Sequence, residues 1–195
     1  MKRVGKNTLK CENEVGIISF ASVVGEKEAK GPLGAYFDKS FSDPYLGMES
    51  FEKAESLMQK EALNLALAKG NLKNDNLDMI FAGDLLNQCI SSSFSARSID
   101  AAYLGQYGAC STMAQTLIMS SISVESGAAN LAAAVTSSHF CTAERQFRLP
   151  LEYGSQRSPS AQWTATASGA VVLGKKGIVK ITFTADKEDI IFTKI

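Results

Sequence analysis

Tyr107-Gly108-Ala109-Cys110-Ser111-Thr112 stands between two segments of opposite periodicity, and its reading decides the fold. Before it, residues 101–107 have the short, part-apolar pattern of a strand. After it, Met113, Ala114, Leu117, Ile118, Met119, Ile122 and Val124 recur at helical spacing, and Gly127 supplies the stop. The predicted helix, residues 110–125, has no charged residue from Ser111 to Val124, which predicts burial on all sides. Strand, tight glycine turn and buried helix together describe one unit of a layered α/β domain. A cysteine at the start of such a helix meets free backbone N–H groups and the positive end of the helix dipole. That setting activates a thiolate or holds another anion. It equally suits a small apolar filler at a tight turn, and the local pattern leaves both readings open.

The same architecture extends to either side. Residues 77–82 form a short buried strand ending at Gly83-Asp84, and residues 131–136 form an alanine-rich strand suited to the centre of a sheet. A long helix is predicted over residues 49–69, where Phe51, Ala54, Leu57, Met58, Ala62, Leu65 and Ala66 make the apolar stripe and Gly70 the stop. Residues 15–20 make the first clear strand. Residues 25–47, with Gly31-Pro32 and Asp43-Pro44, are expected to be a long loop, and residues 143–162 a second irregular stretch. Residues 164–173, 177–185 and 190–193 are expected to be successive antiparallel strands at hairpin spacing. The order is β-α-β-β-α-β with a β-rich end: one α/β domain over residues 1–195, with a buried central helix.

Composition narrows the function classes. Twenty basic and twenty acidic side chains give zero formal charge, without the cationic excess of a general nucleic-acid binder. At 45% hydrophobic and 21% charged residues the chain is of ordinary globular composition. No apolar run is long enough to span a bilayer, so membrane association is expected to be peripheral, through a partner. The basic start, Met1-Lys2-Arg3, has no apolar region after it, so no secretory signal is expected. Cys11, Cys89, Cys110 and Cys141 lack CxxC spacing, and with a single histidine they predict no zinc site, no other cofactor, and reduced thiols.

Asp84, Cys110 and His139 each follow a strand, so one sheet edge should receive all three. For Asp84 a loop-organising role weighs against a ligand contact, and for His139 a structural role weighs against a catalytic one. Arg145 and Arg148 lie just beyond His139, where guanidinium groups would suit a carboxylate ligand.

Several segments also stand together in one order: Gly31-Pro32-Leu33-Gly34, Ala82-Gly83-Asp84-Leu85-Leu86-Asn87-Gln88, Gly108-Ala109-Cys110-Ser111-Thr112, Thr136-Ser137-Ser138-His139 and Thr142-Ala143-Glu144-Arg145-Gln146-Phe147-Arg148. With Pro150 and Glu152-Tyr153-Gly154 they closely resemble the stage V sporulation protein AD family of spore-forming Firmicutes. The resemblance runs from about residue 6 to residue 172. It implies a thiolase-like layered α-β-α fold, of which this chain carries the N-terminal half. It implies non-enzymatic binding of dipicolinic acid (pyridine-2,6-dicarboxylate), taken up into the developing spore and released in germination. It further implies work at the spore inner membrane with other stage V sporulation A membrane proteins, and leaves a homodimer open. Asp84 and Cys110 match pocket positions; His139, Asn87 and Arg145 are added as candidate ligand contacts. Calcium enters only as counter-ion of the dianion, bridging it to Asp84. The alternative is thiolase- or ketoacyl-synthase-like acyl transfer, with Cys110 as nucleophile. Members of the family continue into a second, pseudo-symmetric half, which supplies the bases of condensing enzymes.

Overall fold

In the computed structural model the described residues are 1–4, 6, 8–147 and 164–181, and of 144–147 the backbone. In chain order the elements are β1 (Lys2–Val4), β2 (Thr8–Lys10), β3 (Gly16–Gly25), α1 (Glu26–Ala29), β4 (Lys39–Phe41), α2 (Phe51–Lys69) and β5 (Met79–Gly83). They continue with α3 (Ile90–Ala96), β6 (Ala102–Gly105), α4 (Thr112–Ser126), β7 (Leu131–Ser138), α5 (Phe140–Phe147), β8 (Ala167–Gly174) and β9 (Val179–Lys180).

The main sheet has the order β4-β3-β8-β7-β5-β6, and β9 also pairs with β3. Strand β8 runs antiparallel to both its neighbours, β3 and β7. The pairs β3–β4, β5–β6 and β5–β7 are parallel. It follows that β3, β4, β5, β6 and β7 all point the same way and bring their carboxyl ends to one edge.

Alternation along the strands builds a core on each face. Ile80, Ala82, Ala133, Val135, Ala170 and Val172 pack with Met58, Ala62, Ala66 and Leu67 of α2. Phe81, Ala132, Ala134, Val171 and Leu173 pack on the other side with Leu117 and Val124 of α4. Ala132, Ala133 and Ala134 are fully buried, and their small side chains let both helices lie close to the central strand.

Helix α2 starts where Ser50 accepts a hydrogen bond from the Lys53 amide (3.3 Å) and stops at Gly70, as its sequence pattern predicts. Helix α4 ends on Gly127 in the left-handed conformation, φ 79°.

Four expectations are corrected. Helix α4 is buried along one side rather than all round. Its inward residues include Thr112, Thr116, Ser120, Ser121 and Ser123, whereas Ser111 and Gln115 are exposed and Ala114, Ile118, Met119 and Ile122 half-buried. Four of these five hydroxyls face inward while bonding back along the chain, as Ser121 does to the Leu117 carbonyl (2.7 Å) and Ser123 to that of Met119 (2.9 Å); that of Ser120 has no partner among the described residues. Residues 25–47 hold α1 and the parallel edge strand β4, too short for a sequence period to show. Residues 140–147 are helical, and Phe140, Ala143 and Phe147 have the spacing of one helix face. Strands β8 and β9 make no hairpin with each other; both pair with β3. The third strand expected at the carboxyl-terminal end lies outside the described residues.

Candidate functional site

The common carboxyl edge receives Asp84 from β5, the Gly108–Cys110 turn after β6, and His139 from β7, as the spacing of the strands predicts. What each side chain does there differs.

Asp84 is 1% exposed, and its oxygens are occupied. Oδ1 accepts from the Leu86 amide (2.8 Å), and Oδ2 from the Ser92 amide (2.8 Å) and hydroxyl (2.5 Å). The carboxylate therefore ties the strand end to the start of α3. Between them, Gln88 and Cys89 are both left-handed, φ 61° and 50°, a strained pair for residues with side chains. Asn87 is exposed on this turn. Cys89 lies beneath it, its thiol on the Gln106 carbonyl at 3.4 Å. Burial pushes that thiol up, and the nearby Asp84 carboxylate adds to the effect.

Gly83 lets the β5 end approach the next loop. A Cβ there would stand 2.1 Å from the Gln106 carbonyl oxygen and 2.5 Å from Thr112 Cγ2. Beyond Gln106, residues Ala109–Ser111 form a single 3-10 turn with Ala109 at φ 48°, and α4 proper begins at Thr112. Cys110 is exposed on that turn. No side chain among the described residues caps α4: the Ser111 hydroxyl donates instead to the Gly108 carbonyl at 2.7 Å. Gly108, Ser111, Gln115, Ile118 and Met119 line a groove of about 370 Å³ beside it.

His139 is fully buried. Its Nδ1 accepts from the Cys141 amide at 3.2 Å, which leaves the proton on Nε2, 2.9 Å from the Pro44 carbonyl. The ring stacks between Phe51 and Phe140, with centroids at 4.9 and 5.0 Å. It fastens the loop before α2 to the loop after β7, the structural role weighed from the sequence. Arg145 falls on α5, its side chain outside the described set. Beside Phe140 and Pro44 a cleft of about 240 Å³ opens, lined also by Gly25, Ser42, Thr164 and Thr166. No group of three metal-ligating side chains occurs among the described residues.

Sequence reasoning missed the polar chain beneath this edge. Glu55 and Gln59, one turn apart on α2, are 0% and 1% exposed. Ser137 donates to Glu55 Oε1 (2.7 Å), and Thr142 Oγ1 lies 2.7 Å from Oε2. Gln59 donates to Ser137 Oγ (2.7 Å) and to the Gly83 carbonyl (3.2 Å) and accepts from Ser95 (2.9 Å). Burial pushes the Glu55 carboxyl up to about 7, and the Asp84 charge reinforces this, against the bonds from Thr142, Ser137 and Ser91. The signal was present: Glu55 and Gln59 continue at four-residue steps into Leu63 and Leu67, on the buried face.

A sequence profile described as stage V sporulation protein AD matches residues 5–187. This chain belongs to the stage V sporulation protein AD family. The family member from Bacillus subtilis (strain 168) is 43% identical over 183 residues, which cover 93% of this chain and 54% of that protein. The structure resembles OleA of Xanthomonas campestris, with TM-score 0.57 and 14% identity over 85% of this chain and 57% of that one. It also resembles 3-oxoacyl-[acyl-carrier-protein] synthase III from Aquifex aeolicus, with TM-score 0.51 and 17% identity over 83% and 54% of the two chains. These likenesses establish the thiolase-like fold. The chain spans about half the length of the family member and of both structures. Among the described residues no helix is long and apolar enough to cross a membrane.

Proposed function

We propose that this sporulation-family chain binds dipicolinic acid without chemical conversion, for its uptake into the developing spore and its release in germination. The observation that carries the reading is the amino end of α4: a helix start that no described side chain caps, beside the exposed Cys110 and an open groove. Backbone N–H groups and the helix dipole there favour a carboxylate, and a planar dianion of this size needs only a few such donors in a part-apolar cleft.

In this reading Cys110 and Asn87 are contacts at the rim and Arg145 is the cation that meets the second carboxylate. Asp84 and His139 act by setting the loops, since their polar atoms are already engaged. Calcium is a counter-ion of the ligand and has no resident site in the proposal. The proposed setting is the spore inner membrane, held peripherally through other stage V sporulation A membrane proteins.

Isothermal titration of the chain with dipicolinate, with and without calcium, tests the proposal. Saturable heat that is lost in Cys110→Trp, which fills the rim, is expected; no heat at millimolar ligand overturns it for this chain. The fold of the condensing-enzyme structures favours a second reading, acyl transfer with Cys110 as nucleophile. Against it, the buried His139 ring is held by Pro44 and Cys141. Mass spectrometry after incubation with acyl-coenzyme A decides between them: a stable adduct on Cys110 supports the enzyme.

A further inference from the structure

Counting protons along the buried polar chain fixes its direction. The Gln59 amide nitrogen can only donate, so Ser137 Oγ, 2.7 Å away, accepts and turns its own proton to Glu55 Oε1. At the other end Thr142 Oγ1 lies 2.7 Å from Glu55 Oε2 and 3.1 Å from the His139 carbonyl oxygen. One hydroxyl proton shared between two acceptors bonds each of them only weakly. Both contacts are full hydrogen bonds when Oε2 carries a proton and donates it to Thr142, which then donates to His139. With Glu55 neutral, every member from Gln59 to the His139 carbonyl is satisfied in one direction. With Glu55 ionised, Thr142 must turn to Oε2 and the carbonyl loses that bond.

The surroundings agree with the neutral form. Helix α2 packs against β3, β7, β8, α3 and α5. Among the described side chains, α3 and β7 offer Glu55 the hydroxyls of Ser91 and Ser137, and α5 that of Thr142. The charge that acts on it is another anion, Asp84, from the loop after β5. Glu52 lies one turn earlier on α2, the His139 ring turns toward Pro44, and Cys141 belongs to the first turn of α5. No described cation compensates a charge on Glu55, and its side chain is out of water.

We propose that Glu55 is a proton-held latch: as a neutral acid it ties the end of β7 and the first turn of α5 to α2 and, through Thr142, braces the His139 carbonyl, whereas loss of its proton to solvent turns the Thr142 hydroxyl to Glu55 and takes that brace from the first turn of α5. The same chain reaches, through Gln59, the carbonyl of Gly83 immediately before Asp84. Glu55 is thus a positioning residue for both loops of the carboxyl edge, whichever small molecule that edge receives.

The linkage has a definite sign. The acid holds its proton up to about 7 when folded and loses it near 4.5 when unfolded. Folding therefore takes up a proton between those values, and stability falls as pH rises through that window, then levels off. The latch lowers the folding equilibrium constant on the order of 100-fold across it.

Glu55→Gln is the decisive variant, because an amide can accept from Ser137 and donate to Thr142 at any pH. Urea unfolding between pH 4.5 and 8 is expected to lose the corresponding part of its pH dependence in E55Q. Hydrogen exchange at the Ala143 amide, which donates to the His139 carbonyl at 2.9 Å, is expected to lose protection above neutral pH in the wild type and not in E55Q. Equal pH profiles for the two proteins overturn the proposal. Should E55Q fail to fold, the wild-type chain labelled with carbon-13 at glutamate Cδ still decides. One carboxyl resonance titrating near neutral pH supports the latch, and all of them titrating below 5.5 overturns it. Thr142→Val separates latch from acid: the Glu55 titration is expected to remain while exchange at Ala143 no longer follows it.

Discussion

Replacing Asp84 with alanine takes the shared acceptor from three donors in a place closed to water. The Ser92 hydroxyl can recover, because the Cys89 carbonyl already stands 3.3 Å from it. The Leu86 and Ser92 amides cannot; they are fixed by the backbone, 2.8 Å from the oxygens that vanish. A buried donor left without an acceptor costs roughly 1–3 kcal/mol, so two of them, partly relieved by relaxation, amount to about 3 kcal/mol. The left-handed Gln88–Cys89 pair adds to the effect, since the Asp84 bonds close the turn that contains it. Asparagine should recover part of the loss: its oxygen serves one amide, while its NH2 meets the other donor to donor. The assay is urea unfolding followed by far-ultraviolet circular dichroism at pH 7. With a slope of about 2–3 kcal/mol per molar for a chain of this size, the midpoint should fall by roughly 1 M in D84A. A midpoint within about 0.2 M of the wild type, at unchanged slope, would refute the loop-organising account. If dipicolinate binding vanished in that same stable variant, Asp84 would be a ligand contact instead.

Three more outcomes are expected. Gly83→Ala drives a Cβ against the Gln106 carbonyl and Thr112, and neither the backbone nor the helix start can retreat cheaply; a loss of at least ~2 kcal/mol is expected, and an unchanged melting temperature would count against the close approach. Under native conditions a thiol-specific dye should label the exposed Cys110 first and Cys11 and Cys89 slowest, since burial pushes both of the latter up, Cys11 to about 11; comparable rates at Cys11 and Cys110 would contradict the structure. Burial opposes ionisation of Asp38, but the Lys69 ammonium at 2.6 Å and the Ser22 amide outweigh it and hold the carboxyl below its ordinary value. Its contribution is present above pH 3.8 and lost as pH falls through the lowered value, so Asp38→Asn should cost up to about 1 kcal/mol at pH 7 and progressively less as pH falls below 3.8, measured by chemical denaturation.

Periodic segments were legible before any coordinates. The apolar stripe of α2, the charge-free run of α4 and the alanine-rich β7 each announce their element, and the parallel order of β7, β5 and β6 brings Asp84, Cys110 and His139 to one edge. Elements of three or four residues, such as β4 and α1, carry too little pattern to be seen. Polarity misled in two different ways. The absence of charge in α4 suggested burial all round, although its outer side is exposed or half-buried. The buried Glu55–Gln59 pair resembles surface residues until its partners are known, and two of them, Ser137 and Thr142, lie more than seventy-five residues away in sequence. What a polar side chain does at a site depends on who satisfies it. Asp84 and His139 were placed correctly at the edge, yet amides and carbonyls nearby take up the atoms that a ligand would need.

The antiparallel strand at the centre of the sheet has a consequence for the order of assembly. Strand β8 fills the gap between β3 and β7 and pairs Val24 with Ala167 and Gly16 with Gly174, so the earliest long strand is joined through one of the latest. Until that strand is synthesised, β3 with its edge partner β4 has no strand pairing to the β7-β5-β6 block and meets it through α2, and the inner edges of both stand unpaired. Such distant pairing is slow to form, and open strand edges invite association. A growing chain should therefore remain vulnerable to aggregation until residue 174 is free to fold, and shortening it past β8 should cost the whole sheet rather than one strand.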